Sequence, residues 1–337
     1  MAALTVVFPI ILTGLVLSLL LSWPATRLAN QMRLVDIPGQ KAHKKHTSPT
    51  PMGAGIAVAA AIAANAIWIH GGVPTQLVGI VLGGIVVFTF GLLDDRFDLN
   101  VPLKLAGQAS AAAILIAAGV QVSLFERPLV DLALTVLWVV GIINAFNFVD
   151  SMDGLALGLA GIAAAFFLLA AIDSGQGWLA GLGAAIVGAS LGAFLFNMLP
   201  SKSFLGDSGS QLLGFLLAAV GLAYIPRDFE QAASWYVPIL VLGVPLFDTV
   251  LVVVSRLRRR RRVYQAGSDH TYHRLRLFRI EPTRGVYSMH LAGITLGLIA
   301  FIGLQSGPVL GNILLSLVVS VGLTLLFLFE RLAPPID

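Results

Sequence analysis

The sequence predicts an all-α fold, a polytopic membrane helix bundle with about eleven transmembrane helices. The chain has 337 residues, of which 57% are hydrophobic and only 11% are charged. Its mean hydropathy is +0.90, whereas soluble globular proteins carry about 25% charged residues. Apolar stretches of roughly 18–20 residues, the length that crosses a bilayer, recur along the chain. The absence of cysteine excludes disulfides, thiolate nucleophiles and cysteine metal sites.

The apolar stretches are separated by linkers that mostly contain glycine, proline or charged residues. The first stretch is too long for a signal-peptide core and has no basic segment before it, so we expect it to be retained. We treat residues 1–337 as one integral membrane domain. The predicted spans lie near 4–23, 52–70, 75–93, 103–120, 132–149, 155–172, 178–197, 209–225, 235–255, 286–305 and 309–329.

The lysines and arginines are divided unequally between the two sets of linkers, and this predicts the orientation. With the N-terminus outside, all of the 21 Lys and Arg residues except Arg127 and Arg227 fall on the cytoplasmic side, together with the C-terminus. We therefore predict a multi-pass protein of the cell membrane whose functional site faces the cytoplasm. The loops that would form this site lie near 24–51, 94–102, 150–154, 198–208 and 256–285.

Carboxylates gather at the ends of three apolar stretches, all on the predicted cytoplasmic side. Asp94 and Asp95 follow one stretch, Asp150 and Asp153 follow another, and Asp207 follows a third. Because charge at the edge of a bilayer is costly, acids clustered there suggest a site. Carboxylate oxygens are hard ligands that suit Mg²⁺. The pattern predicts a divalent-metal site at the membrane surface.

Polar residues accompany two of these carboxylate clusters. Asn144, Asn147 and Asp150 are spaced three residues apart, which keeps them near one face of a helix. They are either ligands, or helix–helix hydrogen bonds followed by a helix cap. Around Asp207, Gly and Ser residues can aim backbone N–H groups at a phosphate, or the segment is simply a helix cap. No G-x-x-x-x-G-K-[ST] motif occurs, so ATP is not supported as a cofactor.

A basic segment follows the ninth predicted span. Its run of arginines between 256 and 262 is interpreted as a topology signal that also attracts anionic lipid. His270, His273 and Arg274 stand at helical spacing and suit a phosphate or diphosphate. Asp248 lies within the span itself. It is either a site residue or a structural hydrogen-bond anchor, and we favour the anchor.

Taken together and in this order, these stretches resemble the polyprenyl-phosphate N-acetylhexosamine-1-phosphate transferase family. The resemblance extends from about Val35 to Leu275. Its specific motifs are the aspartate pair, N-x-x-N-x-x-D-x-x-D-G-L-A from Asn144, and F-N-x-x-P followed by F-L-G-D-S-G-S from Phe196. The phospho-MurNAc-pentapeptide translocase of peptidoglycan synthesis belongs to the same superfamily.

The resemblance implies an enzyme that transfers a sugar phosphate with Mg²⁺, or alternatively Mn²⁺, as cofactor. A UDP-linked amino sugar, foremost UDP-GlcNAc, and polyprenyl phosphate would give polyprenyl-diphospho-sugar and UMP, which initiates cell-envelope glycan synthesis. Another UDP-N-acetylhexosamine or UDP-MurNAc-pentapeptide remains open as the donor, as does a homodimer, and no nucleic-acid partner is implied. The alternative from another class, an ion-coupled secondary transporter, usually has acids near the bilayer midplane and often internal repeats.

The implied roles are carried over residue by residue. Asp207 matches the metal-ligating aspartate and Asn147 resembles a second ligand or near neighbour. Asp94 and Asp95 match the pair placed near the lipid phosphate, and with Asp207 they are the predicted catalytic residues. The predicted substrate-binding residues are Lys104, which follows that pair, Asp150 and Asp153 on the nucleotide side, Asn197 in the uridine-side loop, and His270, His273 and Arg274.

Two positions depart from the family pattern. Tyr272 stands where the final histidine motif usually has a histidine. Ser151 and Met152 precede Asp153, where glycine and a hydrophobic residue are common. These departures bear on the identity of the sugar more than on the reaction.

Overall fold

The computed structural model is a bundle of α-helices and describes residues 2–37, 49–65, 73–198, 203–227, 231–263, 267 and 269–332. Predicted features at 38–48, 66–70, 199–202, 264–266 and 268 lie outside the described residues. Two-residue strands β1 (Val35–Asp36) and β2 (Thr50–Pro51) pair in antiparallel orientation. The helices are α1 (Ala2–Gln31), α2 (Ala54–Ala64), α3 (Thr75–Phe97), α4 (Val101–Ala117), α5 (Pro128–Val149), α6 (Leu155–Asp173), α7 (Gly177–Met198), α8 (Gly206–Ala223), α9 (Tyr236–Val241), α10 (Gly243–Arg258), α11 (Thr271–Leu275), α12 (Pro282–Ser306) and α13 (Pro308–Leu332).

The predicted all-α membrane architecture is confirmed. Each predicted span coincides with a helix or, in one case, with the pair α9 and α10. In the described chain, 7 helices are long and apolar enough to cross a membrane, namely α1, α3, α5, α6, α7, α12 and α13, and the bent pair α9–α10 would make 8. Helices α2 and α4 are shorter apolar helices. The chain is a multi-pass membrane protein; the number of eleven spans and the orientation stay predictions.

The ninth predicted span, 235–255, is not one straight helix. A 3₁₀ turn (Gln231–Ser234) and α9 are bent by 70° against α10, with the break at Leu242. Pro245 explains the position of the break, because proline has no N–H to donate to the carbonyl of Val241 and its ring clashes with that carbonyl. The break gives α10 a direction of its own, which later determines where Asp248 lies.

Helix α8 is the centre of the bundle. Every residue from Gly206 to Ala223 except Asp207 is buried, with α3 and α5 as the most extensive neighbours. Because this helix is enclosed by protein, it does not need to be apolar on all sides. Hydrogen bonds between helices join some of its interior polar side chains: Gln108 Nε2 donates to Gln211 Oε1 (3.3 Å), and Asn144 Nδ2 donates to Gln108 Oε1 (2.7 Å). Asn144 is therefore a helix–helix contact.

Small residues allow close helix crossings, as the Gly- and Ala-rich sequence predicts. Helix α1 packs most extensively against α7. Gly188 and Gly192 of α7 face α1, where an added Cβ would lie 2.3 Å from the carbonyl oxygen of Ile11 and 2.4 Å from that of Leu15. Side-chain rotation cannot relieve contacts with backbone atoms. This is the small-residue packing common between membrane helices.

We expect Gly188→Ala to destabilise the protein, because its new methyl group would meet a backbone carbonyl. Over-packing costs about 1–3 kcal/mol, which would lower the midpoint of thermal unfolding in detergent. Gly141→Ala is the matched control: no described atom outside its own helical turn lies within 4 Å of its Cβ position, and alanine favours a helix by about 1 kcal/mol over glycine. A midpoint for Gly188→Ala equal to that of the control would contradict the close crossing.

Candidate active site

The carboxylates of the three predicted clusters meet at one end of the bundle, where α3 and α5 end and α8 begins. Asp94 and Asp95 lie in the last turn of α3. This helix continues to Phe97, whereas the sequence predicts that residues 94–102 form a loop. Asp150 directly follows α5, and Asp207 is the second residue of α8. These carboxylates are therefore positioned by helix ends.

Lys104 bridges two of the carboxylates. Its Nζ lies 2.5 Å from Asp94 Oδ2 and 3.5 Å from Asp207 Oδ2. A short turn makes this possible: Asp94 Oδ1 accepts a hydrogen bond from Leu99 N (2.9 Å), and Asn100 caps α4 through Leu103 N (3.0 Å). The Asp94 side chain is 2% exposed, whereas that of Asp207 is 33% exposed. Asp207 is thus the carboxylate that opens to a ligand, and Asp94 is the one that holds the lysine.

Asp95 anchors the start of α8. Its Oδ1 accepts a hydrogen bond from Asp207 N (2.7 Å) and its Oδ2 accepts one from Ser208 N (3.1 Å). The positive end of the α8 helix dipole also favours a carboxylate at this position. Gly206 permits the approach, since its φ is +72° and a Cβ there would lie 2.8 Å from Asp95 Oδ2. The sequence does not distinguish the roles of Asp94 and Asp95, but the structure shows that they have different partners.

An asparagine amide and further acids surround Asp207. Asn147 Nδ2 donates to Asp207 Oδ1 (3.1 Å), and Asp153 is exposed on the turn before α6. Burial raises the pKa of the Asp150 carboxyl well above its usual range, and the negative charges of Asp207, Asp95 and Asp153 raise it further. A cluster of this kind is electrostatically costly without a cation. The site therefore favours a positively charged ligand.

The side chains of the site could bind Mg²⁺ only if substrate phosphates and water supplied most of its ligands. Among the residues that the structure describes, no group of three or more His, Cys, Asp or Glu side chains could hold a metal ion by itself. However, Mg²⁺ is usually bound through one or two carboxylates, substrate phosphates and several waters. The half-exposed Asp207 carboxylate fits that pattern. Asn147 donates its amide to Asp207 here and so orients the carboxylate; its predicted contact with the metal stays a prediction.

Asn197 joins two loops beneath the site. The side chain is buried, its Oδ1 accepts from Gly154 N (2.9 Å), and its Nδ2 donates to Ser203 O (2.6 Å). Ser203 Oγ in turn accepts a hydrogen bond from Gly53 N (2.9 Å). This amide holds the turn before α6 against the segment before α8. Its predicted contact on the uridine side stays a prediction.

Asp248 holds the histidine segment. His270 Nδ1 lies 2.8 Å from Asp248 Oδ2, and Thr271 N donates to Asp248 Oδ1 (2.7 Å). The structure confirms the interpretation of Asp248 as an anchor and supplies its partners. The sequence could not identify them, because they lie 22 and 23 residues further along the chain. The ring of Phe148, in the last turn of α5, meets His270 edge-on at 6.1 Å, so this segment packs against the end of α5.

The surroundings of Arg274 differ from those of the two histidines. Its side chain is 0% exposed; NH2 lies 2.7 Å from Glu330 Oε1 on α13, and Nε donates to Asp269 O (3.0 Å). His273 is half-buried and packs its ring 4.0 Å from that of Tyr272. The geometry does not support the predicted phosphate contact of Arg274, because its guanidinium is enclosed between α11 and α13. It stabilises the segment that carries His270 and His273.

Part of the arginine run is structural. Arg256 Nε lies 2.9 Å from Asp269 Oδ2, Arg259 pairs with the other oxygen of Asp269, and Arg258 lies 3.0 Å from Glu330 Oε2. The run is therefore more than the topology signal that the sequence predicts. Sequence reasoning missed Asp269 and Glu330. No signal in the chain indicates them, because each is an isolated acid whose partners are brought near by the fold.

The two departures from the family pattern meet in space. Tyr272 is buried and its hydroxyl faces Ser151 in the turn before α6. Burial raises the pKa of Tyr272 to about 12, so its phenol is neutral at physiological pH. The pair links the histidine segment to the turn that carries Asp150 and Asp153.

We expect Asp95→Ala to lower the stability of the protein. It would leave two backbone N–H groups at the start of buried α8 without their acceptor, at about 1–3 kcal/mol for each. Thermal unfolding in detergent should show a lower midpoint, with Asp95→Asn, which keeps one acceptor, between wild type and Asp95→Ala. Asp153→Ala, which removes an exposed carboxylate, is the control for stability. Equal midpoints for Asp95→Ala and this control would contradict the anchoring role.

Comparison with known proteins agrees with this architecture. The model of glycosyl transferase family 4 matches residues 77–225, which extend from the first turn of α3 to just after the end of α8. The probable undecaprenyl-phosphate N-acetylglucosaminyl 1-phosphate transferase of Bacillus subtilis is 28% identical over 285 residues, covering 82% of this chain and 79% of that protein. The decaprenyl-phosphate N-acetylglucosaminephosphotransferase of Mycobacterium tuberculosis is 31% identical over 302 residues, covering 78% and 74%.

A third relative is the undecaprenyl-phosphate alpha-N-acetylglucosaminyl 1-phosphate transferase of Escherichia coli K12. It is 29% identical over 263 residues, covering 74% of this chain and 71% of the relative. The family model spans the aspartate pair, the asparagine motif and Asp207, which the fold brings together at one end of the bundle. From these matches and this arrangement, the chain belongs to glycosyl transferase family 4.

Proposed function

We propose that this enzyme transfers GlcNAc-1-phosphate from UDP-GlcNAc to a polyprenyl phosphate, releasing UMP, at the cytoplasmic face of the cell membrane. One observation carries the proposal: Asp94, Lys104 and Asp207 form a charged cluster at the end of an apolar bundle. A soluble nucleotide and the phosphate of a membrane lipid can meet at such a place. The names of the relatives support the same substrates, because they specify undecaprenyl or decaprenyl phosphate and N-acetylglucosamine phosphate.

The chemistry demands little covalent help from the protein. An oxygen of the lipid phosphate attacks the sugar-bearing phosphorus, the new P–O bond forms, and the bond to UMP breaks with UMP as leaving group. Such a transfer depends on positioning and on stabilising negative charge. A phosphate monoester has its second pKa near 6, so the lipid phosphate is mostly dianionic at pH 7. The protein therefore needs to orient it more than to deprotonate it.

The contacts suggest a role for each residue. Lys104 supplies a fixed positive charge that a phosphate can share, and buried Asp94 holds that lysine in place. Asp95 is occupied by two backbone N–H groups, so we assign it to the positioning of α8 and not to the lipid phosphate. When bound at Asp207, Mg²⁺ would neutralise charge on the substrate diphosphate. Asp150 and Asp153 lie on the turn that would meet the nucleotide, and His270 and His273 remain candidates for phosphate contact.

The reaction can be tested directly with purified protein in detergent. With UDP-GlcNAc, undecaprenyl phosphate and Mg²⁺, we expect UMP and lipid-linked diphospho-GlcNAc to form in equal amounts. A panel of UDP-N-acetylhexosamines and UDP-MurNAc-pentapeptide would identify the preferred donor, and Mn²⁺ in place of Mg²⁺ would test the choice of metal. UMP release that does not require the lipid, or no release with any donor, would overturn the proposal.

The metal assignment predicts that Asp207→Asn lowers turnover by about 10²-fold or more, because the variant loses the exposed carboxylate of the site. Mg²⁺ should also raise the unfolding midpoint of the wild type but not that of Asp207→Asn. Asp173→Asn is the matched control, since this exposed acid ends α6 at the other end of the bundle. Near-normal turnover of Asp207→Asn at ordinary Mg²⁺ concentration would exclude Asp207 as the ligand.

A further inference from the structure

A buried carboxylate on α10 and the histidine segment form a second polar cluster beside the site. Asp248 is 1% exposed, and each of its oxygens accepts one hydrogen bond from the same short segment. One donor is the His270 ring and the other is the backbone of Thr271, where α11 begins. Burial of an acid within an apolar bundle is costly unless it is hydrogen-bonded. This contact is therefore a specific feature of the fold.

The contact determines which ring nitrogen of His270 carries a proton. An ionised carboxylate can only accept hydrogen bonds, so Nδ1 is the donor at 2.8 Å from Asp248 Oδ2. In the neutral ring, Nε2 is then the unprotonated nitrogen and the one left for another partner. Pairing of a histidine with a carboxylate behind it is a common way to fix the tautomer and orientation of a functional imidazole.

Neighbouring rings restrict the same imidazole. Phe148 meets it edge-on at a centroid distance of 6.1 Å, and Tyr272 stacks on it at 6.0 Å with an angle of 15°. Phe148 follows Asn147, whose amide contacts Asp207. Asp248, Phe148 and Tyr272 therefore hold His270 from three sides, beside the end of α5. The break at Leu242 matters here, because it directs α10 so that Asp248 reaches the histidine segment.

We propose that Asp248 is a positioning residue for the transfer reaction, which holds His270 through Nδ1 and leaves Nε2 to take up a proton and donate a hydrogen bond to a substrate phosphate. This inference rests on the proposed function. Asp248 itself would touch no substrate. It would act by fixing the tautomer and orientation of His270 and by seating the first residue of α11.

The test uses histidine labelled with ¹⁵N in the full-length protein, at a pH at which the ring is neutral. The signal of His270 is identified by its loss in His270→Gln. We expect Nδ1 to be protonated in the wild type. In Asp248→Asn the side-chain amide can turn its NH₂ group to Nδ1, so the proton should move to Nε2. Asp173→Asn, the matched control, should leave the tautomer unchanged. A wild-type ring protonated at Nε2 would overturn the proposal without any variant.

Kinetic measurements then distinguish a positioning role of Asp248 from a purely structural one. We expect Asp248→Asn to reduce kcat/KM for UDP-GlcNAc by about 10- to 100-fold, the usual cost of losing a residue that orients a functional histidine. In a His270→Gln background the same change should cost less than about 2-fold, because coupled residues are not additive. Full additivity would overturn the proposal, as would normal kcat/KM in Asp248→Asn with a switched tautomer. Absence of UMP release by the wild type would instead refute the proposed function.

Discussion

The start of α8 is the constraint on which the site depends. A helix that begins inside a bundle has backbone N–H groups that need acceptors. Here the two carboxylate oxygens of Asp95 accept hydrogen bonds from Asp207 N and Ser208 N. This contact ties the last turn of α3 to the first turn of α8. It brings the Asp94 end of one helix beside the Asp207 end of another. Without it, the charged groups would have no common position.

Charge balance follows from that junction. Acids on three helix ends lie close together, and the described structure places Lys104, at the start of α4, as a cation between two of them. The lysine is held by buried Asp94 and reaches toward the more exposed Asp207. In the described part of the chain, the site thus combines a lysine held by an ion pair with a partly exposed carboxylate at Asp207. This distribution fits the substrate proposed above, a diphosphate that arrives with a divalent cation.

A second network supports the adjoining histidines. Its acids, Asp248, Asp269 and Glu330, lie on α10, on the segment before α11 and on α13. They hold His270 together with the buried guanidiniums of Arg256 and Arg274. Such buried pairs contribute little net stability but are costly to break singly. The network therefore fixes the position of α11, a helical segment of only 5 residues.

The sequence by itself determined the membrane class, the approximate location of the long apolar helices and the identity of the charged cluster. Apolar length and spacing are local properties, and acids at the ends of apolar stretches are visible without a fold. Only the tertiary structure decided that Asp95 caps α8 while Asp94 holds Lys104, that Arg274 is buried against Glu330, and that α9 and α10 form a bent pair. Those assignments depend on which groups become neighbours across distant segments. Adjacent aspartates in one helix turn are chemically equal until packing gives each a different partner.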